Sequence, residues 1–302
     1  MTCNLALIGA GKWGRNFIRT IGQLENITLK FVVSRNPETD QLITANTTRL
    51  ADWKELIEFH DQIDGVIVAT PPHVRLEIIN ILLKNKIPVL AEKPLGLIND
   101  DISQVIELSR KQNVPLMVDY IYLYSPAYRK LKQEIAERND PITSLDFRSG
   151  NNGPVRENYS GLWDYAPHDL AIVLDLMKTF PLEIKLNERQ RDLSVSNRLS
   201  CNFELVFLNN VKANIFLGNN FEKKERLISI TTTKGKYKFD DTVQDKLYYE
   251  EDGKNYAIPF ELHSPLEVAV LDFCRVIMQK EWDANSLLLT LDIQKILVFL
   301  DS

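Results

Sequence analysis

The sequence "LALIGAGKWGRNFIRT", Leu5–Thr20, decides the fold of the first part of the chain. Its apolar start predicts a buried strand, its end predicts a helix, and the glycines between them have the spacing G-x-G-x-x-G. In this setting the glycines allow a tight turn, close approach of the backbone to a pyrophosphate, and close packing of helix on strand, while the helix N-terminus attracts phosphate. The stretch therefore predicts a dinucleotide site rather than a glycine-rich turn without a ligand. The residues predicted to line this site are Gly9, Gly11, Lys12, Trp13 and Gly14.

Strands and helices alternate as far as about residue 120. Strands that are apolar on both faces and alternate with helices indicate a parallel sheet covered by helices. A Rossmann-type α/β domain is therefore predicted over residues 1–119. One of its helices is predicted to have Asn99 or Asp100 as its N-cap. The apolar runs that form its further strands are Ile27–Val33, Asp64–Thr70, Ile87–Lys93 and Val114–Tyr120.

The pattern changes after about residue 120. Helices are predicted over 125–138 and 161–178, and the second is predicted to be interrupted by Pro167 or to begin there. Strand-like segments then follow without helices between them, which indicates an α+β domain over residues 120–302 with a large, mostly antiparallel open sheet. Because an open sheet face needs a cover, we expect a homodimer or homotetramer formed through this sheet.

The composition of the 302 residues is that of an ordinary globular protein. The net charge of −5 argues against a surface for nucleic acid or an anionic membrane, since both need a basic patch. The cysteines, Cys3, Cys201 and Cys274, form no C-x-x-C pair, so neither a disulfide framework nor a metal site is expected. The sequence shows no secretory leader and no apolar run of the roughly 18 residues that a membrane span needs. We therefore expect a cytoplasmic location.

The end of the second strand discriminates between the nicotinamide cofactors. NAD sites usually have Asp or Glu there, which accepts a hydrogen bond from the ribose 2′-hydroxyl. Here Ser34 and Arg35 follow the strand. A hydroxyl and a guanidinium would bind a 2′-phosphate that an acid would repel. The sequence thus predicts NADP(H), with NAD(H) as the alternative if Arg35 only stacks on adenine from the surface.

Two further strands end in residues that we predict to contact the cofactor. Thr70, Pro71 and Pro72 follow the third apolar strand, at the carboxyl end where ligands bind in open α/β sheets. Glu92 and Lys93 end the next strand, and the proline after Lys93 biases that residue away from helix. The sequence thereby holds an amine in a fixed, non-helical place at the edge of the sheet.

Four motifs together have the pattern of a known family. They are "GAGKWG" (9–14), "VIVATPP" (66–72), "AEKPLG" (91–96) and "DYAPHDLAIVLDL" (164–176). In this order, and over essentially the whole chain, the sequence resembles the glucose-fructose oxidoreductase/inositol dehydrogenase (Gfo/Idh/MocA) family, and within it bacterial members of sugar-nucleotide and polysaccharide metabolism. The resemblance implies a Rossmann-type domain, a C-terminal domain on an open, mostly antiparallel sheet, and an active site between them.

The resemblance implies that Lys93, Asp164 and His168 are the catalytic residues. On a helix, Asp164 and His168 are four residues apart and share a face. Our hypothesis makes His168 the principal acid–base group, because the pKa of an ordinary imidazole is already near neutrality. Lys93 then polarises the reacting oxygen, although the two roles are interchangeable. Asp164 orients the imidazole or binds a substrate hydroxyl.

Polar residues ahead of the helix of Asp164 would contact a sugar or its diphosphate, or would form an exposed loop. The residues predicted for substrate binding are Arg148, Asn151, Arg156 and Tyr159. This chain departs from the family pattern at two other positions. Arg75 stands where a histidine is frequent after the "TPP" turn, and Tyr120 stands where polysaccharide-linked relatives often have histidine.

The function that the resemblance implies is an NAD(P)-dependent oxidoreductase that transfers a hydride between nicotinamide and a hydroxyl or keto carbon of a sugar or sugar nucleotide. One alternative is a reductase of another small carbonyl or unsaturated substrate. Another is a regulatory protein that binds NADPH without turnover. The presence of Lys93, Asp164 and His168 together argues against regulation alone, because sensing needs only the phosphate loop.

Overall fold

The computed structural model describes residues 2–97, 100–192 and 194–302. The chain divides into two compact units, of which the first comprises Met1–Ile121 and Ser264–Leu291 and the second Tyr122–His263 and Asp292–Ser302. The predicted boundary between residues 119 and 120 lies two residues before this division. The predicted second domain, however, included residues 264–291, which belong to the first unit.

The first unit is built on a parallel sheet. Its strands are β1 (Cys3–Ile8), β2 (Ile27–Val33), β3 (Thr48–Leu50), β4 (Gly65–Val68), β5 (Val89–Glu92) and β6 (Leu116–Asp119). Its helices include α1 (Gly14–Ile21), α2 (Pro72–Lys84) and α3 (Ser103–Gln112), with 3-10 segments at Pro37–Gln41 and Trp53–Gln62. The strand order among the described residues is β3-β2-β1-β4-β5-β6, so the order reverses between β1 and β4, where dinucleotide folds bind their ligand. The predicted parallel Rossmann-type sheet is confirmed.

The predicted start of α3 was too early. The helix begins at Ser103, after a residue that makes no side-chain cap. The carboxylate of Asp100 accepts a hydrogen bond from the backbone N–H of Leu97 at 2.6 Å, which closes a turn ahead of the helix. Asn99, the other predicted N-cap, lies outside the described residues.

Helix α6 (Pro265–Gln279) explains why a C-terminal segment belongs to the first unit. Its Phe273 is fully buried in the same core as Phe17 of α1. A Cβ added to Gly65, at the start of β4, would lie 2.9 Å from the Phe273 ring and 2.7 Å from Ile277. The helix therefore packs directly on the sheet, and burial of each such side chain contributes about 1.5–3 kcal/mol. This long-range packing leaves no periodic signal in the sequence.

The second unit is built on a mostly antiparallel sheet. Its strands are β7 (Ile142–Asn152), β8 (Glu183–Arg191), β9 (Leu199–Val206), β10 (Lys212–Gly218), β11 (Asn220–Thr232), β12 (Lys236–Asp240), β13 (Leu247–Glu251) and β14 (Lys254–Ala257). Its helices include α4 (Pro126–Arg138) and α5 (Gly161–Met177), and α7 (Ser286–Asp301) ends in this unit. Among the described residues the order is β14-β13-β12-β11-β7-β10-β9-β8, and β7 and β10 form the one parallel pair. This confirms the predicted large, mostly antiparallel sheet.

Helix α5 covers one face of this sheet and contacts β7, β9 and β10. In β7, Phe147 and Ser149 are buried, whereas Asp146 and Arg148 are exposed, as the two-residue period of a strand requires. The prediction of an interruption at Pro167 was wrong, because α5 runs without a break from Gly161 to Met177 with that proline inside it. Burial of most of the helix on the sheet outweighs the hydrogen bond that proline cannot donate.

Candidate active site

The phosphate loop between β1 and α1 leaves no room for side chains at two of its three glycines. A Cβ added to Gly14 would lie 1.9 Å from the carbonyl oxygen of Gly9. One added to Gly9, whose φ is +101°, would lie 2.8 Å from the carbonyl oxygen of Ala69. At Gly11, no described atom lies within 4 Å of an added Cβ. The backbone is thus open at the glycine where a dinucleotide loop approaches pyrophosphate, and closed at the two that serve the turn and the helix packing.

The N-terminus of α1 carries the charge that this loop needs for phosphate. The first turn of α1 has no acidic residue, and its N-cap residue, Trp13, makes no side-chain hydrogen bond to it. Lys12 and Trp13 are both exposed on the loop. Helix N–H groups that no carboxylate neutralises favour an anion. The residues present therefore fit the pyrophosphate of a dinucleotide.

At the end of β2, the structure places two basic residues near Ser34. The Ser34 hydroxyl oxygen accepts a hydrogen bond from the Thr39 hydroxyl at 2.8 Å, which leaves its own hydrogen for donation. Arg35 is exposed. The guanidinium of Arg49 donates to the carbonyl oxygen of Ser34 at 3.1 Å and also pairs with Asp40 at 2.7 Å. Sequence reasoning missed Arg49, because a strand as short as β3 leaves no readable pattern.

At the end of β4, Pro71 and Pro72 open helix α2, of which Pro72 is the first residue. Thr70 lies between Ala69 and this helix, and its backbone N–H would be 3.2 Å from a Cβ added to Gly9. The Thr70 side-chain oxygen is buried and has no hydrogen-bond partner among the described residues. The predicted contact of Thr70 with a ligand beside the phosphate loop thus has a polar atom to make it.

Arg75 forms hydrogen bonds to backbone carbonyls at the ends of both β4 and β5. Its guanidinium is buried, with 3% of the residue exposed. One nitrogen donates to the carbonyl oxygens of Glu92, at 2.7 Å, and Pro94, and the other donates to that of Thr70. Lys93 lies between two of these carbonyls, so its backbone is held on both sides. Where the family pattern has histidine, this chain has a group with enough donors to hold three carbonyls at once.

Glu92 and Asp119 form a buried carboxyl pair beside Lys93. They are register partners on β5 and β6, and 8% and 1% of their surfaces are exposed. Burial raises the pKa of Glu92 to about 7, against the opposing charges of Arg75 and Lys93 and a hydrogen bond from Trp13. Burial and the neighbouring Glu92 carboxyl raise the pKa of Asp119 well above its usual value. Ionisation of one carboxyl therefore makes ionisation of the other less favourable, and the pair binds a proton more tightly than two isolated carboxyls would.

In the second unit, α5 carries the predicted Asp164 and His168 on one face. Asp164 is buried, and its carboxylate accepts a hydrogen bond from Arg156 at 3.0 Å. Tyr165 donates its hydroxyl hydrogen to the carbonyl oxygen of Gly153 at 3.0 Å, and its pKa is raised to about 12 by burial and by Asp164. The loop before α5 is therefore bound to the helix at two points. The pairing of Arg156 with Asp164 was not foreseen.

The predicted substrate residues do not all lie together. Arg156 and Tyr159 belong to the loop that is bound to α5, and Asn151 lies just before it. Arg148 lies on the exposed face of β7, and α5 covers the opposite face. Its guanidinium pairs with Glu225 and lies 4.9 Å from the centroid of the Phe216 ring. The prediction that Arg148 contacts the same substrate as His168 is not supported, because strand alternation directs it away from α5.

Asn219 is a buried residue that sequence reasoning missed. Its amide oxygen accepts from the backbone N–H of Leu199 at 2.9 Å, and its amide nitrogen donates to the carbonyls of Pro154 and Asn197. A Cβ added to Gly161 would lie 2.5 Å from the same amide oxygen. Asn219 thus fixes the loop of residues 153–160 against the start of α5. The one sequence signal for this role is that asparagine is frequent in turns, and Asn219 lies in the turn between β10 and β11.

Comparison with known proteins agrees with this geometry. A family model described as an oxidoreductase family with an NAD-binding Rossmann fold (GFO_IDH_MocA) matches residues 3–120. The crystal structure of a candidate oxidoreductase from Magnetospirillum magnetotacticum MS-1 is 30% identical, with a TM-score of 0.88, and covers 98% of this chain and 99% of that one. The fold is also that of UDP-N-acetylglucosamine 3-dehydrogenase from Acidithiobacillus ferrooxidans, at 16% identity and a TM-score of 0.84, over 99% of this chain and 97% of that one.

Curated relatives match over shorter stretches. Oxidoreductase P35 of Formosa agariphila is 31% identical over 194 residues, which are 56% of this chain and 59% of that protein. The chain spans about half the length of the first curated relatives that it matches.

Among the described residues, no helix has the length and apolar character to cross a membrane. No group of three or more His, Cys, Asp or Glu residues in the same part of the chain is arranged to hold a metal ion.

Proposed function

Because this chain belongs to the GFO_IDH_MocA family of oxidoreductases, we propose that it transfers a hydride between NADP(H) and a hydroxyl or keto carbon of a sugar or sugar nucleotide. The observation that carries the proposal is the edge of the parallel sheet, where an open phosphate loop lies beside β4 and the backbone of Lys93 is held by Arg75. A lysine whose backbone is fixed at a ligand-binding edge can present its amine to a reacting oxygen.

The preference for NADP(H) rests on Ser34 and Arg35. Neither residue is an acid that would repel a 2′-phosphate, and the side chain of Arg35 is exposed. A charge-assisted contact with a 2′-phosphate contributes about 1.5–3 kcal/mol. We therefore expect the Kd of NADPH, measured by fluorescence titration, to rise about tenfold or more in Arg35→Asp while that of NADH does not. Arg110→Asp, which changes an exposed arginine on α3, is the control. Equal affinities of the wild type for NADPH and NADH would refute the preference.

The protein groups that act on the substrate are proposed to be Lys93 and His168. The nicotinamide, when bound, supplies or accepts the hydride. His168 takes the hydroxyl proton of an alcohol or returns it to a ketone, and the ammonium of Lys93 donates a hydrogen bond to the same oxygen. The carboxylate of Asp164, held by Arg156 at 3.0 Å, lies one helical turn before His168. The loop that contains Arg156 and Tyr159 is proposed to contact the sugar.

Single-turnover kinetics test these roles. A panel containing myo-inositol, UDP-N-acetylglucosamine and small carbonyl compounds is first screened for cofactor oxidation or reduction. With a compound that reacts, His168→Asn and Lys93→Ala should each slow hydride transfer, since general acid–base catalysis contributes about 10²–10⁴-fold. Lys84→Ala and His60→Asn remove the same groups at exposed positions and are the matched controls. Wild-type rates in both site variants would refute the assignment.

The same panel separates the alternatives. Turnover of a small carbonyl or unsaturated compound without turnover of any polyol or sugar nucleotide would replace the sugar by another substrate. Tight NADPH binding without turnover of any compound would favour a regulatory protein.

A further inference from the structure

A chain of contacts in the second unit links His168 to a buried ion pair. Asp169 and Arg226 are 0% and 4% exposed, and the guanidinium lies 2.7 Å from the carboxylate. Ser149 donates its hydroxyl hydrogen to the same carboxylate. Arg226 and Ser149 are cross-strand partners on β11 and β7, so both approach α5 from the same place on the sheet.

The ion pair holds an aromatic ring. The Cζ atom of Arg226 lies 3.8 Å from the centroid of the Tyr122 ring, which is a close cation–π contact. The Tyr122 hydroxyl is hydrogen-bonded to Asp241, and burial raises its pKa. Tyr122 lies in the 3-10 turn Ile121–Tyr124, outside any regular strand or long helix. The guanidinium face and the carboxylate of Asp241 therefore fix a ring that its own short turn would hold only loosely.

The ring in turn touches His168. The centroids of the Tyr122 and His168 rings are 5.2 Å apart, and the rings meet edge to face at 83°. Such contacts contribute about 0.5–1.5 kcal/mol beyond burial of area and have a definite geometry. Because His168 and Asp169 are consecutive on α5, the contacts run from His168 through Tyr122 and Arg226 to Asp169 and back.

We propose that Tyr122 is a positioning residue for His168, and that the Asp169–Arg226 pair holds Tyr122 in place. This rests on the proposed function in so far as His168 is the acid–base group. A buried ion pair is poor evidence for stabilisation, since an apolar replacement is often as stable. Here the Asp169–Arg226 pair acts by orienting a neighbouring ring. The guanidinium plane orients the tyrosine ring, and the ring limits rotation of the imidazole, so one nitrogen is presented in a constant direction.

NMR of the whole protein, labelled with ¹⁵N and ¹³C in histidine, tests the contact without any substrate. The chain has four histidines, so the His168 signals are assigned from the spectrum of His168→Gln. In the wild type, the imidazole protons should show a ring-current shift and an NOE to the Tyr122 ring. Tyr122→Phe should keep both, because the ring and its cation–π contact remain. Tyr122→Leu should lose both, and Arg226→Lys should reduce the shift, because an ammonium has no plane to lie on the ring.

Kinetics then ask whether the contact matters to the reaction. With whichever of myo-inositol or UDP-N-acetylglucosamine turns over, Tyr122→Leu should lower kcat about 10–100-fold while KM and the Kd of NADPH stay within about twofold, since misplacing a reacting group by about 1 Å can cost 10²-fold. Tyr122→Phe should retain most of the wild-type kcat. Tyr256→Leu, which removes an exposed tyrosine on β14 of the same unit, should change neither kcat nor the His168 shift.

The outcomes separate this proposal from the proposed function. An unchanged His168 signal in folded Tyr122→Leu, or equal loss of kcat in the Phe and Leu variants, would overturn the positioning role. If no polyol or sugar nucleotide of the panel turns over, the proposed function fails, and the NMR result alone decides whether Tyr122 orients His168.

Discussion

Replacement of Glu92 by glutamine should change how the stability of the first unit depends on pH. Glu92 is buried in a pair with Asp119, and its pKa is raised from 4.5 to about 7. In the unfolded chain it would ionise near its ordinary pKa. Between these two pH values the folded protein therefore retains a proton that the unfolded chain has lost. Glutamine has nearly the same shape and has no proton to lose.

The sign and size follow from proton linkage. Where the folded state binds more protons than the unfolded one, stability falls as the pH rises, by about 1.4 kcal/mol per pH unit for one proton. Over the interval from 4.5 to about 7, the contribution of Glu92 is about 3 kcal/mol. It is fully present below pH 4.5 and lost above about 7. The free energy of unfolding of the wild type, relative to that of Glu92→Gln, should thus fall by about 3 kcal/mol across this interval.

The measurement has to report on the first unit alone, because a chain of two units need not unfold in one step. Trp163 is the one tryptophan of the sequence in the second unit, so a Trp163→Phe background restricts the fluorescence signal to the first. Urea unfolding is then measured at fixed pH values from 4.5 to 8. Glu25→Gln, at an exposed position of the same unit, is the control. Its free energy of unfolding should depend on pH in the same way as that of the wild type.

Parallel curves for the wild type and Glu92→Gln from pH 4.5 to 7 would refute the reasoning, because they would mean that Glu92 is ionised in the folded protein. Asp119 provides an internal check. Its pKa is raised by burial and also by Glu92, so Glu92→Gln leaves it raised by a smaller amount. The effects of Glu92→Gln and Asp119→Asn should therefore be non-additive in a double-mutant cycle.

Three further predictions concern other parts of the molecule. Gly14→Ala should lower stability and abolish NADPH binding, because the new Cβ would overlap the carbonyl oxygen of Gly9. Gly11→Ala should fold with a nearly wild-type Tm and lose only affinity for NADPH. Thermal unfolding measures the Tm of each variant, and fluorescence titration measures its Kd for NADPH. Asn219→Ala should raise the substrate KM and lower Tm while the Kd of NADPH is unchanged, because a buried amide that serves three backbone groups costs about 1–3 kcal/mol to remove. Light scattering at micromolar concentration should give the wild type the mass of a dimer or tetramer. Phe216→Asp, on the exposed face of the antiparallel sheet, should shift the measured mass towards that of the monomer. A monomeric wild type would contradict the prediction of an oligomer.

The sequence predicted the first unit well because its signals are local. The glycines of the phosphate loop, the doubly apolar strands and the proline after Lys93 each constrain the backbone within a few residues. The structure adds which glycine is open, since Gly11 alone of the three has no described atom within 4 Å of an added Cβ. What it could not predict in this unit was the place of α6, because the contact of Phe273 with Gly65 joins residues about two hundred positions apart.

Side-chain partners were harder to predict than elements. The pairing of Arg156 with Asp164, and of Arg226 with Asp169, depends on how far strands and loops bring charges towards α5. For Arg148, the sequence predicted a substrate contact that the structure does not support. Its polar neighbourhood suggested substrate contact, but the alternation of β7 decides which face it occupies, and the register of that strand is not visible in the sequence.

Two energetically unfavourable local features, one in each unit, lie next to residues that the motifs singled out. A proline inside a helix forfeits a backbone hydrogen bond and costs about 3 kcal/mol, yet Pro167 lies directly before His168. A buried carboxyl pair costs stability as soon as it ionises, yet Glu92 and Asp119 lie beside Lys93. Selection for stability alone would replace each of these groups by an apolar residue or by alanine. Glu92 and Pro167 are themselves part of the family motifs, and their energetic cost is a physical reason why stability alone would not place them beside Lys93 and His168.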